Sequence, residues 1–430
     1  VCPLLSAQEI PFVTDEMRTP TYWIQRQTHP DQVIFDSPLI QAFNQNIQEE
    51  LRLTKNIFAQ PDIFPGEKVR SDIEQILNDF QGKIFYFMND QKADQPFFDQ
   101  VKEDLNVENI PHEVRPRFGV AVQYTNLRFF PTEEPLLEKA GDVDFDQLQN
   151  SALNIDDPVV ILHESKNGEW LYVDTETLSG WVKKKDIAMG NKDLIEMSSQ
   201  CRDVIVTAPK TQLFQNRTLS QVYGFVQMGT RFCSAQLSDP HLYAVNFFSR
   251  RENGEMAFSV GFIKKEDARE GFMSYTQRNI LTQAFKLLDK PYGWGGMKGE
   301  QDCSRFLQEF LSTVGVRLPR NSSEQGQVGR SIAEFTDETT DEEKIQVLKD
   351  QAVGGITLLK MKGHIMLYLG MVNNRPYAIH ATWGYREPAV DGEDEVRVLN
   401  RVVVSDLSLG EGSQKGSLLK RITNLRLLAE

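Results

Sequence analysis

The segment "GGMKGEQDCSRFLQEFLSTVG", residues 295–315, places a cysteine between a glycine-rich loop and an apolar helical pattern. One face of the predicted helix carries Leu307, Phe310, Leu311 and Val314. Asp302 is a suitable N-cap, which puts Cys303 in the first turn. Free N–H groups and the helix dipole stabilise a thiolate there, so the pattern predicts a lowered pKa for the Cys303 thiol. A small residue buried at a helix start gives the same pattern, and a second feature is needed to separate the two.

The second feature is a pair of histidines. The chain has six, and two of them fall in one predicted hairpin, His364 at the start of its first strand and His380 in its second. A turn at Asn373-Asn374 brings both to the same end of the ribbon, a few residues out of direct opposition. One histidine can deprotonate the thiol and the other can orient it. A Cys-His-His site explains the pair better than two unrelated structural histidines.

The remaining cysteines are Cys2, Cys201 and Cys233. Their spacing matches no zinc motif, so neither a metal nor a cofactor is predicted. Cys201 and Cys233 lie in one β-rich segment, where a disulfide and two buried thiols are equally good interpretations.

Charge and hydropathy limit the partners. The net charge of −14 argues against binding nucleic acid, which needs clustered Lys and Arg. No apolar run reaches the roughly 20 residues of a membrane-spanning helix, so no transmembrane segment is predicted. The chain begins at Val1, which suggests a removed leader, and Cys2 next to it raises the alternative of an N-terminal lipid anchor.

Composition and periodicity divide the chain into four predicted domains. Residues 1–113 form a largely helical N-terminal region, in which Ser71 and Glu74 predict a capping box. Residues 114–190 and 191–270 contain short strands separated by turn signals, and both segments end alike, in "GWVKKKDIA" and "GFIKKEDA". This similarity indicates two copies of one small β-barrel. Residues 271–430 mix helices and strands, so the fold class is α+β and multidomain.

Three stretches of the last domain resemble the NlpC/P60 cysteine peptidases, a papain-like bacterial family. They are "YGWGGMKGEQDCSRFLQEFLSTVGVRLPRNSSEQ" from Tyr292, "GHIMLYLG" from Gly363 and "YAIHA" from Tyr377. Spacing and order agree at all three positions of the family's catalytic triad. The resemblance therefore implies a papain-like catalytic domain with Cys303, His364 and His380 as its catalytic residues.

The resemblance extends upstream. "FDQLQNSALNIDDPVVILHESKNGEWLYV" and "GWVKKKDIA" are similar to the bacterial SH3-type domains of one NlpC/P60 subgroup, which also has a helical N-terminal stabilising region. That subgroup cleaves γ-D-glutamyl–diamino acid bonds in peptidoglycan stem peptides. The resemblance implies the same reaction here, on stem peptides or murein fragments, in the bacterial periplasm, in the cell envelope or outside the cell.

Three positions depart from the family pattern. Arg305 replaces the usual glycine after Asp-Cys-Ser, the usual Pro-Arg-Asp-Ser reads Pro-Arg-Asn-Ser at residues 319–322, and the usual Gly-Asp-Leu reads "GITLL" at residues 355–359. None of these changes removes a catalytic group.

The resemblance also implies roles for individual residues. Cys303 attacks the amide carbonyl, His364 moves the proton, and His380 holds the imidazole of His364. The backbone N–H of Cys303 and the hydroxyl of Tyr292 would stabilise the oxyanion. The substrate cleft would be lined by Asp302, Ser304 and Ser322.

The first SH3-like domain closes one end of the cleft in the related subgroup, which implies a substrate with a free N-terminal amine such as L-Ala-γ-D-Glu-diaminopimelate. Asp302 is the first candidate for the carboxylate that binds the amine, with Asp144 or Asp146 as a second contributor. Two alternatives remain: an amidase or acyltransferase on the same fold, and a wall-binding protein without activity.

Overall fold

The computed structural model describes residues 10–198, 200–389 and 392–429 and divides them into two compact units. The first unit contains the chain up to Leu53, Phe272–Tyr292 and the chain from Glu300 onward. The second contains Thr54–Gly271 and Gly293–Gly299. The N-terminal region that the sequence predicts as one domain is therefore shared between the units.

The second unit is built on two seven-stranded antiparallel sheets. The first sheet consists of β3 (Arg117–Ala121), β4 (Thr125–Arg128), β5 (Gln149–Leu153), β6 (Pro158–Glu164), β7 (Trp170–Asp174), β8 (Ser179–Lys183) and β9 (Ile187–Gly190). The second consists of β10 (Asp203–Val206), β11 (Lys210–Phe214), β12 (Val222–Gln227), β13 (Arg231–Ser234), β14 (Leu242–Arg250), β15 (Met256–Lys264) and β16 (Ala268–Glu270).

The two sheets share one topology. Their strand orders are β5-β4-β8-β7-β6-β3-β9 and β12-β11-β15-β14-β13-β10-β16. Counted from the first strand of each sheet, both orders are third, second, sixth, fifth, fourth, first and seventh. The internal repeat predicted from "GWVKKKDIA" and "GFIKKEDA" is thus confirmed at the level of strand order.

The second unit also holds α3 (Gly66–Phe80), α4 (Gln95–Asp104), α5 (Lys192–Ser198) and a short pair formed by β1 (Phe64–Pro65) and β2 (Glu113–Val114). Val69, Ile73 and Leu77 of α3 pack in one core with Trp170 and Trp181 of the first sheet. The predicted cap at Ser71 is wrong, because α3 begins five residues earlier and Ser71 lies inside it.

Cys201 and Cys233 form a disulfide with a Cα–Cα distance of 5.6 Å. Of the two interpretations that the sequence left open, the structure has the bonded one. Cys303 is the free cysteine among the described residues, and Cys2 lies outside them.

The first unit is built on a six-stranded sheet with the order β17-β22-β18-β19-β20-β21. Its strands are β17 (Arg330–Glu334), β18 (Thr357–Met361), β19 (His364–Val372), β20 (Arg375–Pro388), β21 (Asp394–Asp406) and β22 (Ile422–Leu427). The sheet is antiparallel throughout.

The α-helices that accompany this sheet in the described residues are α1 (Pro20–Ile24), α2 (Ser37–Gln45), α6 (Gln277–Lys286), α7 (Cys303–Ser312), α8 (Ser322–Gln325), α9 (Asp341–Gln351) and α10 (Leu418–Arg421). α7 packs against β19, β20 and α6. The N-terminal residues contact the sheet as well, since the Trp23 ring lies 5.5 Å from that of Tyr377, whose hydroxyl donates to the Phe12 carbonyl. None of the helices in the described ranges is long and apolar enough to span a membrane.

A bulge in the β19–β20 hairpin decides where its histidines point. Asn373 and Asn374 both have positive φ, as a two-residue hairpin turn requires. From the turn, Gly370 pairs with Tyr377, but the next pair is Tyr368 with Ala378, so Leu369 is extra. The bulge shifts the register by one residue and puts His380 opposite Met366 rather than Leu367. Because residues two apart share a face of a strand, His380 then lies on the same face as His364.

Candidate active site

Cys303 is the first residue of α7, as the sequence predicts. The Asp302 side chain caps the helix by accepting a hydrogen bond from the backbone N–H of Arg305 at 2.9 Å. The thiol is 7% exposed and is hydrogen-bonded by the backbone N–H groups of Ser304 and Ile365. Since Ile365 follows His364 in β19, this contact fixes the thiol at the end of the strand where His364 lies.

The pKa of the Cys303 thiol differs from the prediction. Burial raises this pKa to about 12, and the negative charge of Asp302 acts in the same direction. The N–H groups of Ile365 and Ser304 and the charge of Arg320 lower it, but by less. Desolvation therefore outweighs the helix terminus, and the resting residue is a thiol rather than a thiolate.

A chain of hydrogen bonds links His364 to the interior of the sheet. Nε2 of His364 lies 2.8 Å from Nδ1 of His380, and Nε2 of His380 lies 3.0 Å from Oγ of Ser405. His380 is 1% exposed and Ser405 is fully buried. With its Nε2 bound to His380, His364 has only Nδ1 left for a proton from another group.

Both histidines are neutral in this structure. Burial, together with the positive charges of Arg421 and Lys360, lowers the pKa of His364 to about 3. Burial and the neighbouring His364 also bring the pKa of His380 well below its ordinary range. A neutral imidazole keeps the lone pair that a general base needs.

Asp302 has a second structural role besides the cap. Its carboxylate accepts two hydrogen bonds from the Arg320 guanidinium, at 3.1 and 2.6 Å, and one from Ser304 Oγ at 3.1 Å. Burial alone would raise the pKa of Asp302, but Arg320 holds it below its ordinary value. Arg320 also donates to Ser304 Oγ at 2.8 Å. Two of the predicted cleft residues, Asp302 and Ser304, thus belong to one buried polar cluster.

The departure at residue 305 has a structural explanation. Nε of Arg305 donates to Glu309, one turn further along α7, at 3.0 Å, and Gln301 donates to the other oxygen of that carboxylate at 2.8 Å. Arg305 and Glu309 are both 4% exposed. Burial raises the pKa of Glu309 to about 7, against the opposing charge of Arg305. The arginine is accommodated because the same helix supplies its partner.

Tyr292 and Ser322 are the two other site residues that the sequence predicts in this domain. Tyr292 forms a bridge with Gln301, two residues before Cys303. Burial raises its pKa well above the ordinary value, and the negative charge of Asp302 adds to the shift, so the hydroxyl keeps its proton. Ser322 is the first residue of α8 and is half-buried. Asn321, where the family usually has aspartate, caps α8 in a capping box with Glu324.

Asp144 and Asp146 lie in the second unit. Asp146 is 5% exposed and pairs with Arg128 at 2.7 Å, while its other oxygen accepts the N–H groups of Leu136 and Leu148. Asp144 is exposed. Asp146 therefore has a structural role in its own loop, and amine binding by either residue stays a prediction.

Sequence reasoning gave no role to Arg320, Glu309 or Ser405. Arg320 had a signal, since it stands in the Pro-Arg-Asn-Ser motif. Glu309 had a weaker one, its four-residue spacing from Arg305. Ser405 had none, because nothing in "RVVVSDL" indicates that it reaches a histidine 25 residues away.

Two family models match the chain. The model described as "NlpC/P60 family" matches residues 289–387, which include all three predicted catalytic residues. The model described as "SH3 domain (SH3b1 type)" matches residues 135–183, in the first seven-stranded sheet.

Individual proteins give a consistent comparison. The γ-D-glutamyl-L-lysine dipeptidyl-peptidase of Bacillus subtilis (strain 168) is 22% identical over 187 residues, 40% of this chain and 56% of that protein. The bifunctional muramidase/DL-endopeptidase CwlT of the same organism is 31% identical over 81 residues, 18% of this chain and 24% of that protein. The matches thus span about half, or less, of these two relatives. An NlpC/P60 endopeptidase from Photobacterium damselae subsp. piscicida has the same fold, with a TM-score of 0.78 and 20% identity over 94% of this chain and 96% of that one.

Proposed function

We propose that this chain, which carries an NlpC/P60 domain and an SH3 domain of the SH3b1 type, is a cysteine peptidase that cleaves the γ-D-glutamyl–diamino acid bond of peptidoglycan stem peptides. The observation that carries the proposal is the position of the Cys303 thiol. It sits at the N-terminus of α7 against the N–H of Ile365, the residue that follows His364 in β19, and His364 is paired with the buried His380.

The proposed reaction is acyl transfer through a thioester. Sγ of Cys303 attacks the amide carbonyl while Nδ1 of His364 takes the thiol proton. His364 then gives that proton to the leaving amine, which frees the diamino acid portion. Water, deprotonated by His364, hydrolyses the thioester and returns the thiol.

Negative charge develops on the carbonyl oxygen during both steps. The backbone N–H of Cys303, at the start of α7, has no partner within its helix and can donate to that oxygen. The Tyr292 hydroxyl, which burial keeps protonated, is the second proposed donor. Asp302, Ser304 and Ser322 are the proposed lining of the substrate cleft.

The finer specificity rests on the relatives. One of them is named as a γ-D-glutamyl-L-lysine dipeptidyl-peptidase, a name that fits a substrate with a free N-terminal amine. We extend this preference to the present chain, with L-Ala-γ-D-Glu-diaminopimelate as the reference substrate. Because Arg320 already offsets the charge of Asp302, amine binding would need more than this one carboxylate.

The test is hydrolysis of defined peptides followed by mass spectrometry of the products. We expect the tripeptide L-Ala-γ-D-Glu-diaminopimelate to yield L-Ala-γ-D-Glu and free diaminopimelate, and its N-acetylated form to react far more slowly. Cys303→Ala should abolish cleavage, because no other group in the site can form the thioester. The melting temperature of Cys303→Ala, compared with that of the wild type, is the control for folding.

Three outcomes would contradict the proposal or part of it. Cleavage by Cys303→Ala at the wild-type rate would exclude Cys303 as the nucleophile. Equal kcat/KM for the free and acetylated tripeptides would show that the enzyme does not prefer a free N-terminal amine. The substrate would then be the intact, sugar-linked wall. Cleavage at a different amide, or transfer to an added amine, would favour the amidase or acyltransferase alternative.

The proposed location is outside the bacterial cytoplasm, in the periplasm, at the envelope or in the medium. Disulfides persist in oxidising compartments, and this chain has one between Cys201 and Cys233. The net charge of −14 offers no attraction to an anionic wall, which is why we place small peptides and murein fragments first among the substrates.

A further inference from the structure

The histidine chain continues beyond the residues that the family resemblance assigns. His380 uses both of its ring nitrogens, Nδ1 with His364 and Nε2 with Ser405. Ser405 lies in β21 opposite Ala378, while His380 lies opposite Val403. Ser405 is thus a diagonal neighbour of His380 on one face of the sheet, and both side chains are excluded from water.

Only one direction of the hydrogen bonds leaves His364 competent as a base. In that arrangement His364 donates its Nε2–H to Nδ1 of His380, and His380 donates its Nε2–H to Oγ of Ser405. Nδ1 of His364 then carries a lone pair. In the reverse arrangement Ser405 donates to His380, His380 donates to His364, and the proton of His364 sits on Nδ1, where it blocks uptake of the thiol proton.

We propose that Ser405 is a positioning residue, whose hydroxyl oxygen accepts the Nε2–H of His380 and thereby holds the pair in the arrangement that leaves Nδ1 of His364 free. The inference rests on the proposed function, in which Nδ1 of His364 takes the proton of Cys303.

The chemistry of an orphaned N–H explains why the oxygen matters. If residue 405 had no acceptor, the competent arrangement would leave the Nε2–H of His380 buried without a partner. The reverse arrangement would leave only the unprotonated Nε2 of His380 without a hydrogen-bond donor. Orphaned buried N–H groups are rarer in proteins than under-satisfied acceptors, so losing the oxygen favours the reverse arrangement.

The first experiment measures steady-state kinetics of Ser405→Ala and Ser405→Thr on the reference tripeptide. For Ser405→Ala we expect kcat to fall by roughly 10- to 100-fold, the range set by one unsatisfied buried donor, with KM unchanged. Ser405→Thr keeps the hydroxyl on a residue that suits a strand, and we expect it to recover most of kcat.

The second experiment reads the tautomers directly and does not depend on turnover. In a Cys303→Ala background, the ring ¹⁵N chemical shifts of His364 and His380 should report protonated Nε2 on both residues. Adding Ser405→Ala should move protons to Nδ1. If Ser405→Ala does not fold, Ser405→Cys, whose sulfur is a weak acceptor, is measured instead and should shift in the same direction.

The results separate this inference from the proposed function. Unchanged tautomers in the Ser405 variant overturn the inference whatever the kinetics. If the proposed function is wrong, Cys303→Ala will keep full activity. The ring ¹⁵N shifts of the Ser405 variant would still decide the role of Ser405.

Discussion

At the scale of single residues, the site holds a neutral thiol and a neutral imidazole. Burial acts on both, since the pKa of Cys303 rises to about 12 and that of His364 falls to about 3. At any pH between these two pKa values, the His364 imidazole keeps its lone pair and the Cys303 thiol keeps its proton. In the proposed reaction, proton transfer would therefore accompany attack on the substrate instead of preceding it.

This charge state predicts the pH dependence of kcat/KM. His364 must be unprotonated to act, and its lowered pKa means that protonation begins only well below the ordinary histidine range. We expect kcat/KM on the reference tripeptide to stay level as pH falls from 8 to about 5. Rates are measured after correction for titration of the substrate and with unfolding monitored at each pH. An acid limb with a midpoint between about 6 and 7 would show that His364 titrates normally in the working enzyme.

Replacing His364 should lower kcat more than replacing His380. His364→Ala removes the group that transfers protons, and general acid–base catalysis contributes about 10²–10⁴-fold. His380→Ala removes only the partner of Nε2 of His364, so we expect a smaller loss of kcat. His380→Gln, which restores an acceptor, should recover part of the rate. A larger loss at His380 than at His364 would reverse their roles.

Alkylation distinguishes the cysteines by the same physics. Only the thiolate reacts quickly with iodoacetamide. Of the three cysteines in the part of the chain that the structure describes, Cys201 and Cys233 are bonded to each other, so Cys303 is the predicted site of labelling there, together with loss of activity. Because its pKa is raised and its side chain is 7% exposed, labelling at neutral pH should be slower than for a free thiol in a peptide. Peptide mass mapping gives the site and the rate, and activity retained after full labelling of Cys303 would exclude it as nucleophile.

At the scale of the element, α7 carries a buried ion pair on its inner side. Arg305→Met would leave Glu309 buried without its cation, a change that typically costs about 3–5 kcal/mol in the free energy of unfolding. The loss should be smaller at pH 5 than at pH 8. The reason is that the pKa of Glu309 is already raised to about 7, and at pH 5 the carboxyl can stay protonated and neutral in the folded state.

The control for this prediction is the double variant Arg305→Met with Glu309→Met. It removes both charges and should be more stable than the single variant at pH 8, since no unpaired carboxylate remains. Denaturant unfolding at both pH values gives the comparison. Equal destabilisation at pH 5 and pH 8 would mean that Glu309 does not titrate in this range.

At the scale of the whole molecule, the disulfide belongs to the second unit and the Cys303 site to the first. A crosslink between residues 32 apart stabilises by about 3–4 kcal/mol in the chain-entropy estimate. Replacing both cysteines by alanine should therefore lower the melting temperature of the second unit, as measured by calorimetry. A reducing agent should lower it in the wild type and leave the variant unaffected. A melting profile that neither change alters would show that the crosslink contributes nothing.

Local sequence determined a good part of this structure. Asp302 caps α7 because the backbone N–H of Arg305, which donates to its carboxylate, is only three residues away. Asn373-Asn374 forms the hairpin turn because asparagine tolerates positive φ. The similar endings "GWVKKKDIA" and "GFIKKEDA" indicated two similar β segments, and their strand orders are identical. The three-part motif around Cys303, His364 and His380 indicated the family, whose model matches that region.

Tertiary structure decided what the site can do. A one-residue bulge at Leu369 decides on which face of the sheet His380 lies, and the alternating pattern of the sequence does not reveal this bulge. The pKa of Cys303 depends on burial by groups distant in sequence, which outweighs the helix terminus. Arg320 meets Asp302 across 18 residues, and Ser405 meets His380 across 25. Caps and turns are set by neighbours along the chain, whereas register, desolvation and long-range hydrogen bonds exist only once the sheet and α7 have packed together.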